Sequence, residues 1–196
     1  MNKKQIGPST RLFPMPTLLV VVKTGENSAN ILTIAWGGIL AGSPPTIGIA
    51  VGKNHYSTPF LIKERNFTIN IPSSKQDTKA DYCGTVSGAE DPDKAATCGF
   101  TLVPSIRIAS PLIEECPINF ECKTCKEIDC DHTILFMGEV IETHVSESVL
   151  DERGRIVTEK LDPLVYLPNG QYRRIGDYVS KAFSIGETLS RKNQAK

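Results

Sequence analysis

Thr133-Ile134-Leu135-Phe136-Met137-Gly138-Glu139-Val140-Ile141-Glu142-Thr143-His144 is the strongest strand signal in the chain. Its β-branched and aromatic residues suit a pleated, half-buried surface, and the run is long enough to cross the wall of a barrel. Gly138 supplies a place for a bend or bulge within it. Working back from this run, further strand signals stand at Ile118-Asn119-Phe120-Glu121-Cys122, at Phe100-Thr101-Leu102-Val103, and at Phe67-Thr68-Ile69-Asn70-Ile71, which Pro72 stops. Others stand at Thr46–Val51, Ile31–Trp36 and Thr17–Val22. The last is continuously apolar and predicts a central strand buried on both faces. Lys23–Ser28 holds turn residues between Thr17–Val22 and Ile31–Trp36, so these two form a hairpin. Beyond the opening run, Asp151–Arg155 is a charged loop, and Leu164–Leu167 followed by Asn169-Gly170 predicts a short final strand and turn.

Helical signals are few. Pro59 opens a short helix over Phe60–Arg65 with Ser57 or Thr58 as its cap, and Asn66 ends it. Asp81–Gly84 marks a helical turn with its exit at Ser87-Gly88, and Asp91-Pro92 starts a helix that Gly99 ends. Many short strands, few helices and no regular strand–helix alternation predict a mainly β fold, an antiparallel barrel or sandwich. No Gly-x-Gly-x-x-Gly follows a strand and no Gly-Lys-Ser/Thr phosphate loop is present, so any nucleotide is held by other means.

The chain has 196 residues, 40% hydrophobic and 22% charged, which suits one compact domain over 1–196 with its core at about 11–180 and a fraying tail over 187–196. Lys plus Arg and Asp plus Glu both number 22. That balance leaves no net field to attract nucleic acid or an anionic membrane, so an anionic ligand requires a local pocket. No apolar run approaches the ~20 residues of a membrane span and no signal-like segment follows Met1-Asn2-Lys3-Lys4, so a cytoplasmic location is expected. Without an export signal the six cysteines are expected to be free thiols.

Pro44-Pro45-Thr46-Ile47-Gly48-Ile49-Ala50-Val51-Gly52-Lys53-Asn54-His55-Tyr56-Ser57-Thr58-Pro59 carries the first chemistry. A buried strand delivers Gly52, Lys53, Asn54, Ser57 and Thr58 to one rim beside a helix start, where amides, hydroxyls and an ammonium favour a phosphate. The same residues equally suit an ordinary strand–turn–helix corner. Asn30, Thr33 and Trp36 interrupt an otherwise apolar strand before Gly37-Gly38, which fits either a ligand-facing strand or a half-buried one with a polar face.

Taken in order, Pro14-x-Pro16, Asn30-x-x-Thr33-x-Ala35-Trp36, Ser43-Pro44-Pro45, His55-Tyr56-Ser57-Thr58, Phe67-x-x-Asn70-Ile71-Pro72, Asp81-Tyr82-Cys83-Gly84-x-x-Ser87-Gly88 and Asp131-His132 before Gly138-Glu139-Val140 resemble the flavoredoxin branch of the flavin reductase-like, FMN-binding split-barrel family. The matches run over most of residues 11–145. The resemblance implies a six-stranded antiparallel Greek-key split barrel with short peripheral helices, a homodimer, and one non-covalent FMN per subunit near the dimer interface. It implies that Asn30, Leu32, Thr33, Ile34, Ala35 and Trp36 meet the isoalloxazine and ribityl chain, and that Val51, Gly52, Lys53, Asn54, Ser57 and Thr58 take the phosphate. The resemblance further implies that Lys94 and the Ser87-Gly88 turn approach from the helical region and that His132 faces the nicotinamide side, although His132 equally suits a strand-start histidine bonded to a neighbour. No catalytic side chain is implied, because the flavin carries the chemistry. Three activities remain open: electron transfer with a redox protein partner, reduction of flavin by NADH or NADPH, and a non-enzymatic FMN carrier or sensor.

Cys122-x-x-Cys125-x-x-x-x-Cys130-x-His132, with Cys116 upstream, offers thiolate and imidazole types for a zinc or iron site, but its spacing is irregular. Free thiols or a redox disulfide are the other readings, and no metal is assigned. Cys83, within the flavin-side motif, is the candidate redox cysteine.

Overall fold

The computed structural model describes residues 2–187 and residue 189. The expected fraying tail over 187–196 lies, apart from Glu187 and Leu189, outside the described residues. A two-residue strand and two six-residue strands come first: β1 (Met15–Pro16), β2 (Leu18–Lys23) and β3 (Ala29–Ile34). β4 (Gly37–Gly42) and β5 (Pro45–Gly52) follow, then helix α1 (Thr58–Glu64) and β6 (Asn66–Ile71). The helical region holds α2 (Asp77–Thr85) and α3 (Lys94–Thr97), and the two-residue strands β7 (Leu102–Val103) and β8 (Leu112–Ile113) come after it. The longest strands, β9 (Ile118–Cys130) and β10 (Thr133–Val145), form a hairpin. A one-turn helix α4 (Thr158–Leu161) leads to β11 (Val165–Leu167) and β12 (Gln171–Arg173).

The main sheet has the order β3-β2-β6-β9-β10-β5-β4, with every pairing antiparallel. Its two end strands follow one another in the chain across Ala35-Trp36 alone, so the sheet must roll until its edges meet. The Ala50 amide donates to the Trp36 carbonyl at 2.8 Å across that junction. Six strands were expected and seven are hydrogen-bonded. The difference arises because β3 and β4 are one pass of chain that pairs with β2 first and with β5 after the Ala35-Trp36 bend.

β2 is buried on both faces, as its composition predicts. Leu18, Val20 and Val22 point into the barrel with Leu32, Ile49, Val51, Phe67, Ile69 and Phe136. Leu19 and Val21 point outward into a second cluster with Ile31, Ala80, Cys83, Phe100, Ile113 and Leu164. At roughly 1.5–3 kcal/mol for each large apolar side chain removed from water, alternate residues of one strand hold the barrel interior and the outer helical layer together. Gly138 marks a register shift opposite β9, and a Cβ there would stand 2.6 Å from Phe67 Cζ. The bulge puts a glycine where an aromatic ring crosses the barrel.

Several local readings change. β9 continues to Cys130 rather than ending near Cys122, because β10 pairs with its full length while its polar side chains face solvent. Of the expected strand Phe100–Val103 only Leu102–Val103 is strand, and α3 begins at Lys94, since Asp91 turns its carboxylate to the Asp93 amide at 3.0 Å. Arg65, with φ 53°, terminates α1 one residue before Asn66. Gly99 closes the helical region at φ +61°, where its lack of a side chain is required. Among the described residues no helix is long and apolar enough to cross a membrane.

Candidate functional site

Three segments far apart in sequence enclose a cleft of about 330 Å3 beside β3. Asn30, Leu32 and Thr33 of β3 form its floor, the turn Asn54–Ser57 one wall, and Cys83–Gly88 with Lys94 the other. The walls meet closely at Gly88, where a Cβ would lie 2.4 Å from both Asn30 Oδ1 and Tyr56 Cδ1. Thr33 ties the floor to the wall, its hydroxyl donating to the Ala80 carbonyl at 2.5 Å. A second hollow of about 280 Å3 shares Thr33, Gly84 and Thr85 with the first and extends toward Thr17, Ala35, Tyr166 and Tyr172.

The polar groups of the cleft are incompletely matched. Asn30, 4% exposed, donates from Nδ2 to Ser57 Oγ at 2.6 Å, while its Oδ1 has no partner. A buried acceptor left unpaired costs about 1–3 kcal/mol, so this oxygen is free to accept from a donor outside the chain. Ser57 spends its oxygen on Asn30, and among the described residues its hydrogen finds no acceptor. Lys94, 3% exposed, donates to the Val86 carbonyl at 2.8 Å and the Cys83 carbonyl at 3.3 Å. Burial pulls its ammonium below the ordinary lysine range, against the opposing influence of the Cys83, Asp91 and Cys98 side chains. The two carbonyls fix the Lys94 head group in the wall.

Of the residues singled out by sequence, Asn30, Leu32, Thr33, Asn54, Ser57, Cys83, Ser87 and Lys94 come together here. Others do not line the cleft. Ile34 and Val51 are buried in the barrel core. Ala35 and Trp36 lie at the bend, where Trp36 is 51% exposed beside an apolar hollow formed with Leu12, Pro14 and Met15. Thr58 does not cap α1. Its hydroxyl donates to the Gly52 carbonyl at 2.7 Å, and Ser57 is the N-cap without a side-chain capping bond, its oxygen being held by Asn30. The Lys53 ammonium pairs with Asp129 of β9 at 2.7 Å. His132 is exposed at the tip of the β9–β10 hairpin, 3.3 Å from Asp131. The turn residues His55, Tyr56 and Gly88 line the cleft as well, and sequence reasoning left out Gly84, Thr85 and Val86, although each stands inside a stretch already marked by its turn residues.

The cysteines are dispersed. Cys122 is buried in the barrel and Cys116 in the outer cluster, while Cys125 and Cys130 are exposed. Burial pushes the Cys122 thiol up to about 12, and the Cys116 thiol upward as well. Among the described residues no group of three or more His, Cys, Asp or Glu side chains is placed to hold a metal ion.

Residues 10–176 match the family described as flavin reductase-like domain. A flavoredoxin of Desulfovibrio vulgaris (Miyazaki F) is 36% identical, with a TM-score of 0.88 over 94% of this chain and 99% of that one. A flavoredoxin from Methanosarcina acetivorans is 29% identical, with a TM-score of 0.86 over 95% and 100% of the two chains. An uncharacterized protein of Archaeoglobus fulgidus is 38% identical over 147 residues, 74% of this chain and 80% of that protein.

Proposed function

We propose that this chain, which belongs to the flavin reductase-like domain family, is a redox flavoprotein that holds FMN in the cleft between β3, the Asn54–Ser57 turn and the Cys83–Gly88 segment. The carrying observation is the pair of unspent groups at the cleft floor, the Asn30 Oδ1 acceptor and the Ser57 hydroxyl hydrogen. A flavin offers both complements: hydroxyl and ring N–H donors for Asn30, and phosphate oxygens for Ser57. The residues present therefore fit the group. FMN is favoured over FAD because the sequence has no second nucleotide fingerprint.

In this reading the turn after β5 receives the phosphate, with Ser57 as hydroxyl donor beside the amides of residues 54–57. Lys53 adds charge at the rim once it leaves Asp129. Lys94, fixed by two carbonyls, supplies a positive charge that stabilises negative charge developing on the ligand. Bound flavin supplies hydride or electron transfer, and the protein supplies position and electrostatics. The apolar hollow beside Trp36 and the exposed Ile39, Leu40, Leu12 and Phe13 side chains are covered by a second copy of the chain, giving a homodimer.

Purified protein is expected to be yellow, to release FMN on heating, and to scatter light as a dimer. FAD as the main released species, or a colourless protein that binds neither flavin, would refute the assignment. Rapid bleaching of the flavin by NADH or NADPH identifies a reductase, whereas bleaching only by a redox protein identifies an electron carrier. His132 at the hairpin tip is proposed to meet the nicotinamide in the first case.

A further inference from the structure

Cys83 and Cys98 face one another with their sulfurs 3.7 Å apart. Cys83 sits in the wall of the cleft, in the last half of α2, and is 2% exposed. Cys98 is the C-cap of α3 and is partly open to solvent. The two thus form an asymmetric pair, one sulfur reachable from solution and the other behind it on the cleft side.

We propose that Cys83 and Cys98 are a reversible dithiol–disulfide modification site, oxidised by low-molecular-weight disulfides and reduced by thiols. A disulfide needs sulfurs at about 2.05 Å, so the pair must close by roughly 1.7 Å. The segment that has to move is short. α3 has four residues, ends at Gly99, and is stitched to α2 by Lys94 through the Val86 and Cys83 carbonyls and by Lys79, whose ammonium donates to the Gly99 carbonyl at 3.0 Å. Cys98 already lies against α2, its thiol 3.9 Å from the Lys79 carbonyl.

The chemistry balances in two exchanges. The Cys98 thiolate attacks an external disulfide, expels one thiolate and leaves a mixed disulfide on Cys98. The Cys83 sulfur then attacks Cys98 Sγ and expels the second external thiolate as the Cys83–Cys98 bond forms. The two protein protons are taken up by the two expelled thiolates, so two protein thiols are oxidised and one external disulfide is reduced to two thiols. Burial and the neighbouring Cys98 sulfur push the Cys83 thiol up to about 12, so the first exchange falls to Cys98, the sulfur that is partly open to solvent.

Because the Cys83 carbonyl accepts from Lys94 and Cys83 lines the cleft, closing this bond re-aims the cleft wall. This coupling to ligand binding rests on the flavin reading; the disulfide itself does not.

The test treats the intact folded protein with oxidised glutathione and maps its peptides without reduction. The expected result is a single linked peptide pair containing Cys83 and Cys98, preceded by glutathione on Cys98 and reversed by dithiothreitol. Cys98→Ser should form no link and take no glutathione at position 98, and Cys83→Ser should stop at the Cys98 adduct. Cys83 and Cys98 both alkylating as free thiols after denaturation, while Cys125 and Cys130 carry glutathione, would overturn the proposal. The oxidised and reduced forms should then differ at least threefold in FMN affinity, and equal affinities would overturn the coupling. A protein that binds no flavin yet forms the link would refute the flavin reading and leave the dithiol standing.

Discussion

Replacing Asn30 with Ala separates the two roles that the cleft floor permits. In the free protein the substitution removes the bond from Nδ2 to Ser57 Oγ at 2.6 Å and leaves that buried hydroxyl without its partner, a cost of about 1–3 kcal/mol. It also removes an acceptor with no partner, whose burial costs about 1–3 kcal/mol. The two effects oppose one another, and water can enter the open cleft where the side chain stood. Asn30→Ala is therefore expected to change the stability of flavin-free protein by less than about 1 kcal/mol, below the usual cost of truncating a buried, fully bonded polar side chain. Flavin binding has no such compensation. Losing one hydrogen bond of about 0.5–1.5 kcal/mol net weakens it about three- to tenfold. Urea unfolding of the flavin-free protein gives the first number, and titration by flavin fluorescence gives the second. An apo-protein destabilised by more than about 2 kcal/mol with unaltered flavin affinity would show that Asn30 is a structural strut, and the unpaired acceptor would lose its meaning.

Ser57→Ala should weaken FMN about tenfold or more and riboflavin much less, since only FMN carries the phosphate. An equal loss for both flavins in parallel titrations would move the phosphate elsewhere. Gly138→Ala should destabilise by about 1–3 kcal/mol through overpacking, because its Cβ would meet Phe67 Cζ at 2.6 Å and Cys122 Cβ at 2.9 Å; an unchanged urea midpoint would contradict this. Glu121 is wholly buried, and burial alone would raise its carboxyl. The amides of Ile106 and Arg107, at 2.8 and 2.7 Å, and the His144 ring at 2.8 Å outweigh this and hold it below the usual range. A depressed folded-state pKa contributes stability above the unfolded value of about 4.3 that is lost as pH falls through the folded value. Glu121→Gln should accordingly be less stable at neutral pH and show a flatter loss of stability below about pH 4; parallel wild-type and variant acid limbs in urea titrations would refute it.

The strands were legible where one physical requirement dominated. Thr17–Val22 is apolar at successive positions because both its faces are covered, and Gly138 stands alone in a long strand because a ring lies over it. The cleft was legible in its parts rather than its assembly. Ser57 and Thr58 have the chemistry of helix caps, and local reasoning assigns them so. Their actual partners are Asn30, 27 residues away, and the Gly52 carbonyl, which a one-dimensional reading cannot rank above the nearer amides. Lys53 likewise carries the right charge, but β9 and β10 bring Asp129 beside it across 76 residues. The wall Gly84–Gly88 was visible as turn residues, and only the docking of α2 on the outer face of β2 and β3 turns it toward Asn30.

The bend at Ala35-Trp36 sets different tolerances for relocating the chain termini. At that point a covalent link holds together the two ends of a seven-strand order. Circular permutants opened between Ala35 and Trp36 would keep every ladder of that order, yet lose the tether that makes its ends meet, and should unroll or associate through the released strands. Permutants opened at Asp131-His132, where β9 and β10 are already joined by a long ladder on each side of the cut, should retain the closed form.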